Sequence, residues 1–323
     1  MRWFSRCFTP CRSFKHWAIA CIVGVIQFHP APLFAEAPAT KSKLAINSLL
    51  LDAAQQSGLM VAVGERGHIL YSTDAGHNWE QADVPTRVLL TGVHLHDNTL
   101  GWAVGHDATI LRTRDGAKTW QVVYSNLEEQ APLLDVWFKD QQHGFAIGAY
   151  GLFMFTQDGG QTWQQKWISE EDDFHLNHIA TMEDGTLLIA AEAGVAYRSD
   201  DEGETWLPLP SPYHGSFFGS LPTSVSSLFL FGLRGNLFTS NDKGETWTNV
   251  NTDTTAMLTA GLKSKHGHCY VSGLSGILLV APQCDGSKIR QQQLPNRHGI
   301  SAMLEGDDAL ILVGESGITR FTP

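Results

Sequence analysis

Aligned on a short "GxxG" pattern, the chain resolves into seven rows in which apolar runs flank a polar turn: "VAVGERGHILYS", "WAVGHDATILRT", "FAIGAYGLFMFT", "LIAAEAGVAYRS", "FLFGLRGNLFTS", "YVSGLSGILLVA" and "ILVGESGITRFT". The leading motif position falls at Gly64, Gly105, Gly148, Ala191, Gly232, Gly273 and Gly314, so successive rows are 41, 43, 43, 41, 41 and 41 residues apart. Each row reads as an apolar strand, a two-residue turn between glycines free to take positive φ, and a second strand of β-branched and aromatic residues. A further apolar segment precedes each row, from "SLLLDAA" to "GISAMLEG", and five rows run on into a tryptophan-containing turn and another strand. One repeat is thus four antiparallel strands, and seven repeats predict an all-β, seven-bladed β-propeller. The seventh row ends at Pro323 after its third strand, while "ATKSKLAI" precedes the first repeat. Pairing of the N- and C-terminal segments in one blade is therefore expected to close the ring and remove an open sheet edge.

The tryptophan turns are "STDAGHNW", "TRDGAKTW", "TQDGGQTW", "SDDEGETW" and "SNDKGETW". Asp74, Asp115, Asp158, Asp201 and Asp242 are expected to accept backbone N–H groups in a tight turn. Trp79, Trp120, Trp163, Trp206 and Trp247 are expected to cover apolar surface beside the next blade. The second copy has Ala117 in place of glycine, and the sixth repeat, "PQCDGSKI", lacks the tryptophan. A motif that degrades where a turn tolerates it behaves as a structural device rather than a catalytic one. It resembles the Asp box, or bacterial neuraminidase repeat, which implies a propeller and says little about chemistry.

The N-terminus changes the count of residues available to the fold. Arg2, Arg6, Arg12 and Lys15 precede an apolar run, Trp17 to Phe28, followed by small residues from Ala35 to Ala39. This order predicts a secretory signal peptide over residues 1–35 and a propeller over 36–323, a retained anchor being the alternative. The run has 12 residues, against the roughly 20 that a helix needs to cross a bilayer. Removal of those four basic residues leaves 18 Lys and Arg against 33 Asp and Glu, a balance that repels phosphate backbones and argues against nucleic acid as a partner. Only Cys269 and Cys284 lie beyond residue 35. In an oxidising compartment they could pair, or they could stay separate thiols.

In a propeller the turns between second and third strands share one face with the connections between blades, and the tryptophan turns lie on the other. The connections on the first face, such as "WISEEDDFHLNH" and "LPSPYHGSFFG", are longer and richer in aromatic residues, so binding is expected there. The candidate residues are Arg66, His106, Tyr150, His175, Tyr213, Phe217 and Arg234, since aromatic and arginine side chains anchor interfaces. Phe218 and Leu176 are read as core. His175 and His178 stand three apart in a loop entering a strand, where such positions point to opposite sides, and no metal site is expected.

A sialidase-type centre requires three converging arginines, and no arginine lies in a first strand. A glycosidase requires paired carboxylates facing the channel, and Asp52 and Asp135 are the only acids well inside first strands, in the first and third blades. No phosphate-binding glycine loop or nucleophile elbow is visible, so neither a catalytic residue nor a cofactor is assigned. A non-enzymatic binding module is the preferred reading, a glycan-binding or sialidase-like hydrolase the alternative.

The seven repeats, the "GxxG" turn ahead of each tryptophan turn and phrases such as "GWAVGHDATILRTRDGAKTW" resemble the photosystem II stability and assembly factor family over essentially the whole chain beyond the signal. The resemblance implies a seven-bladed propeller of the thylakoid lumen or a bacterial envelope, a monomeric assembly scaffold for a membrane protein complex. Photosynthetic members bind their partner through an arginine-rich patch, to which only Arg66, Arg234 and Arg297 correspond here. "SPYHGSFFG", "LLDVWF" and "GAYGLF" look more like the bacterial, non-photosynthetic relatives.

Overall fold

The structure is a computed structural model that describes residues 37–128, 130–169 and 172–322. The expected signal segment lies outside the described residues. Seven antiparallel sheets follow one another along the chain, six with four strands and the last with three. The innermost strands are Leu50–Gln56, Leu90–Leu95, Leu133–Phe138, Leu176–Thr181, Phe217–Pro222, Leu258–Lys263 and Ile300–Glu305. The molecule is the predicted seven-bladed propeller.

Its core is not central. Buried apolar side chains form seven clusters, each between two adjacent blades: Val61 and Val63 pack with Leu90 and Trp120, and Phe229 and Phe231 with Val271 and Leu279. Second strands are sandwiched by neighbours on both faces, so Leu59–Gly64 is buried at every position, whereas the outermost Arg290–Gln293 is exposed throughout. Burying each such Leu or Val side chain stabilises the ring by about 1.5–3 kcal/mol.

Every innermost strand carries a β-bulge at its second residue, which is Leu51, Thr91, Leu134, Asn177, Phe218, Thr259 or Ser301. A bulge frees one residue from the ladder and re-aims its neighbours. Here the bulged side chains line the central channel while the preceding residue of each strand is buried. The glycine that leads each "GxxG" has a steric cause. At Gly64, Gly105, Gly148, Gly232, Gly273 and Gly314 a Cβ would stand 2.0–2.3 Å from the carbonyl oxygen just before the innermost strand.

The chain ends meet, but not as a strand pair. Among the described residues the seventh sheet has no fourth strand, and Ala45–Asn47 forms a single 3-10 turn against its third strand. Ile46 takes the place that an inter-blade connection holds elsewhere: its carbonyl oxygen is 1.9 Å from where a Cβ on Gly317 would be, as Thr86, Tyr213 and Thr254 stand 2.1 Å from Gly67, Gly194 and Gly235. Residues further upstream pair with blade 1 instead, where Ala39 N–H donates to Val84 O at 2.9 Å. Hydrogen bonds then seal blade 7 to blade 1: Ser301 Oγ to Leu50 O (2.7 Å), Gln55 Nε2 to Glu305 O (3.1 Å) and Arg320 to Ala75 O (2.9 Å).

Candidate functional site

The turn after each second strand is built alike in all seven blades. Its first residue donates its N–H to the carbonyl preceding the innermost strand, from Glu65 to Leu49 O through Ala149 to Pro132 O to Glu315 to Gly299 O, at 2.9–3.0 Å. The next residue is left-handed at φ 56–58° in six blades, where Arg66, Asp107, Tyr150, Ala193, Arg234 and Ser275 occupy the tip. Holding a non-glycine residue there costs about 1–2 kcal/mol each, and the side chain is thrust out of the sheet. Three turn carboxylates are taken up by the fold. Glu65, Glu192 and Glu315 accept the N–H of Leu49, His175 and Gly299.

Arg66, His106 and Arg234 are exposed on this face, and Tyr150 is 59% exposed. Tyr150 meets His175 edge-on, ring centroids 5.0 Å apart, and Trp167, 54% exposed, packs beside Gly151. Arg66 lies 3.9 Å from Glu65, while Arg234 has no ion-pair partner among the described residues. The two arginines are on blades 1 and 5, so they do not form one patch. Tyr213 is half-buried against Phe238 at 6.3 Å. Phe217 is fully buried and belongs to the core between blades 4 and 5, so it cannot meet a partner. The roles of Phe217 and Phe218 are reversed from the expectation, because the bulge at Phe218 turns that ring into the channel.

The second candidate is the channel itself, a cavity of about 560 Å³ on the ring axis. Asp52 and Asp135 line it with His94, His175 and His178. The two histidines of "HLNH" both face this cavity rather than opposite sides, since the bulge at Asn177 breaks the strand alternation between them. Among the described residues, no group of three or more His, Cys, Asp or Glu is placed to hold a metal ion.

Asp52 and Asp135 fasten blades together. Val93 N–H of blade 2 donates to Asp52 Oδ2 (2.8 Å), and Ile179 N–H of blade 4 donates to Asp135 Oδ2 (2.8 Å). The other junctions use bulged residues: Thr91 donates to Leu133 O (2.6 Å), Asn177 to Phe217 O (2.7 Å), Thr259 to Ile300 O (2.6 Å) and Ser301 to Leu50 O (2.7 Å). Only the junction of blades 5 and 6, where Phe218 stands, has no such bond among the described residues. Sequence reasoning missed this fastening ring. Its signal was a polar residue at the second or third place of six innermost strands.

Burial pushes the Asp52 carboxyl up to about 8, helped by the charge of Asp135 and opposed by the N–H groups of Val93 and Ala53. Asp135 is also raised by burial, against the pull of His178 and of the Ile179 and Val136 N–H groups. His94 is pushed down to about 4 by burial and by His96, so it is neutral at pH 7 and offers the pair no charge. Both carboxylates already accept backbone N–H groups, Asp52 from Val93 and Asp135 from Val136 and Ile179.

On the opposite face each turn aspartate is satisfied within its own turn. Asp158 accepts the Thr156 hydroxyl (2.9 Å), the Gln161 and Thr162 N–H groups (both 2.9 Å) and the Thr162 hydroxyl (2.7 Å). Asp74, Asp115, Asp201 and Asp242 repeat the pattern. The tryptophans pack toward the preceding blade, not the next: Trp120 joins the cluster of blades 1 and 2, and Trp163 that of blades 2 and 3. In blade 6, where the motif fails, a disulfide between Cys269 and Cys284 ties the turn to the second strand.

The fold and the two candidate sites define a seven-bladed propeller with a rim of outward side chains and an acidic axial cavity. Residues 72–132 and 121–214 match the model of the family described as "Photosynthesis system II assembly factor YCF48". Over 131 residues, 40% of this chain and 39% of the relative, the sequence is 35% identical to "Photosystem II assembly protein Ycf48" of Synechococcus sp. (strain JA-2-3B'a(2-13)). The chain thus aligns with about two fifths of that relative's length. Among solved structures, "YCF48 bound to D1 peptide" is similar with TM-score 0.67 and 17% identity, covering 86% of this chain and 94% of the other. "YCF48 from Cyanidioschyzon merolae" has TM-score 0.68 and 14% identity, covering 86% and 96%. The WD40 propeller domain of Doa1 reaches 0.67 at 10% identity, covering 88% and 95%, so structural likeness at this level speaks to the fold alone. The family model and the sequence relative each match part of this chain, and the solved structures match its fold.

Proposed function

We infer that the chain is an exported, non-enzymatic assembly or scaffold factor that works as a monomer. It docks a protein segment of a membrane complex on the face that carries the left-handed turn tips. Its compartment is the periplasm of a bacterial envelope, or the thylakoid lumen if the source is photosynthetic. The observation that carries this reading is the ring of turns, six of them with a left-handed tip, that holds Arg66, Tyr150 and Arg234 out of the sheet. Nothing in the packing of the blades requires those side chains, and aromatic and arginine residues held rigidly are suited to anchoring a partner. That one solved relative is described as bound to a peptide supports the same reading.

The test is capture of a membrane complex from detergent-solubilised envelopes. Tyr150→Ala combined with Arg234→Ala is expected to abolish capture of the components that the wild-type chain retains, with the melting temperature unchanged, since both residues are exposed. Undiminished capture by the double variant removes this face from consideration.

A further inference from the structure

The innermost strands start at the rim, because the residue before each one is bonded to the outward turn. Going inward, the channel therefore meets the bulged residues first and the third strand residues about one step of 3.3 Å deeper. In blades 1, 3 and 5 the bulged residues are Leu51, Leu134 and Phe218, apolar positions at the mouth, while Thr91, Asn177, Thr259 and Ser301 between them turn their polar groups onto neighbouring backbone carbonyls. Behind the mouth come Asp52 and Asp135. Of the described residues that line the cavity none is Lys or Arg, and the two acids share it with histidines, of which His178 acts on Asp135. Carboxylate oxygens that already hold one backbone N–H keep lone pairs for further donors.

We propose that the mouth of the channel is a socket for an amphipathic cation: an ammonium or guanidinium group on an alkyl stem, held by Asp52 and Asp135 with the stem between Leu51, Leu134 and Phe218. Apolar positions above a charged floor match the way lysine and arginine divide stem from head. Burial favours the protonated form of both acids, so a bound cation displaces a proton and binding tightens as pH rises. The other titratable groups facing the socket are His94, His175 and His178. This site does not rest on the rim reading, for it needs neither Arg234 nor Tyr150. The cation has two possible sources, a free amine or a side chain of a partner.

The full-length protein is titrated calorimetrically at pH 8 with 1-butylamine, N-acetyl-lysine methylamide and, as the uncharged control, 1-butanol. Both cations are expected to bind at least tenfold more tightly than butanol, and Asp52→Asn with Asp135→Asn to weaken them at least tenfold. Asparagine keeps the oxygen that accepts the Val93 or Ile179 N–H. Phe218→Ala, which leaves both carboxyls in place, is expected to weaken binding about threefold, and it serves if the double variant fails to fold. Tighter binding of the lysine amide than of butylamine points to a partner side chain, and the reverse order to a free amine. Cations that bind no better than butanol overturn the proposal, as does binding unchanged in a folded Asp52, Asp135 double variant or in Phe218→Ala.

Discussion

Blade 3 carries two aspartates under opposite conditions, Asp158 in its outer turn and Asp135 in its innermost strand. Partial burial pulls Asp158 upward, yet the Thr162 hydroxyl and N–H and the Thr156 hydroxyl hold it at about 2. Burial dominates at Asp135 and raises it, even though Ile179 and Val136 donate their N–H groups. Blades 4 and 1 repeat the contrast: Asp201 is held at about 2 by Thr205 and Ser199, and Asp52 is pushed up to about 8. What separates the regions is the supply of donors and of water. A turn aspartate faces bulk solvent with donors arranged around it, whereas a channel aspartate has few donors and another carboxyl nearby. An acid repeated from blade to blade is held ionised within its own turn; the acids in two innermost strands fasten one blade to the next from places where burial favours the neutral form.

Removing a turn carboxylate tests the first half of that contrast. Asp158→Ala deletes four hydrogen bonds to a half-exposed group, and solvent competition leaves a loss of about 1–2 kcal/mol in denaturant unfolding. No change in midpoint breaks the assignment of these residues as fasteners of their own turns. Asp52→Asn tests the other half and is expected to raise stability at pH 7, because the amide oxygen still accepts the Val93 N–H and the unfolded chain no longer gains by ionising this group. The sharper signature is in pH. The folded state keeps a proton on Asp52 up to about 8 while the unfolded chain has lost it above 3.8, so this group lowers stability as pH rises through that window. The turn aspartates act oppositely: their contribution is complete above 3.8 and is lost as pH falls toward 2. Asp52→Asn is expected to flatten the decline on the alkaline side and leave the acid limb in place.

Much of this architecture was legible in the chain, because the features that set it recur. The glycines of "GxxG" are placed by a backbone clash at the same point of each blade, and the turn aspartates by the same hydrogen bonds, so both leave a periodic trace. The seventh blade departs from the expectation of a paired strand because Ile46 fits into an inter-blade connection's place using its backbone carbonyl, which no side-chain pattern announces. The reversal of Phe217 and Phe218 has a similar origin. Simple alternation does not reveal a bulge, and the bulge decides which ring faces the channel. The inner fastening ring was hidden for another reason: Asp52, Thr91, Asp135, Asn177, Thr259 and Ser301 do one job with three different chemistries, carboxylate, hydroxyl and amide, so no common residue marks it.

The contrast between the two regions is tested most directly by following the carboxyl carbons of the aspartates by NMR as a function of pH. Asp52 is expected to titrate near 8, and Asp158 and Asp201 near 2. An Asp52 midpoint at or below the ordinary 3.8, or turn aspartates titrating at 3.8, would contradict it.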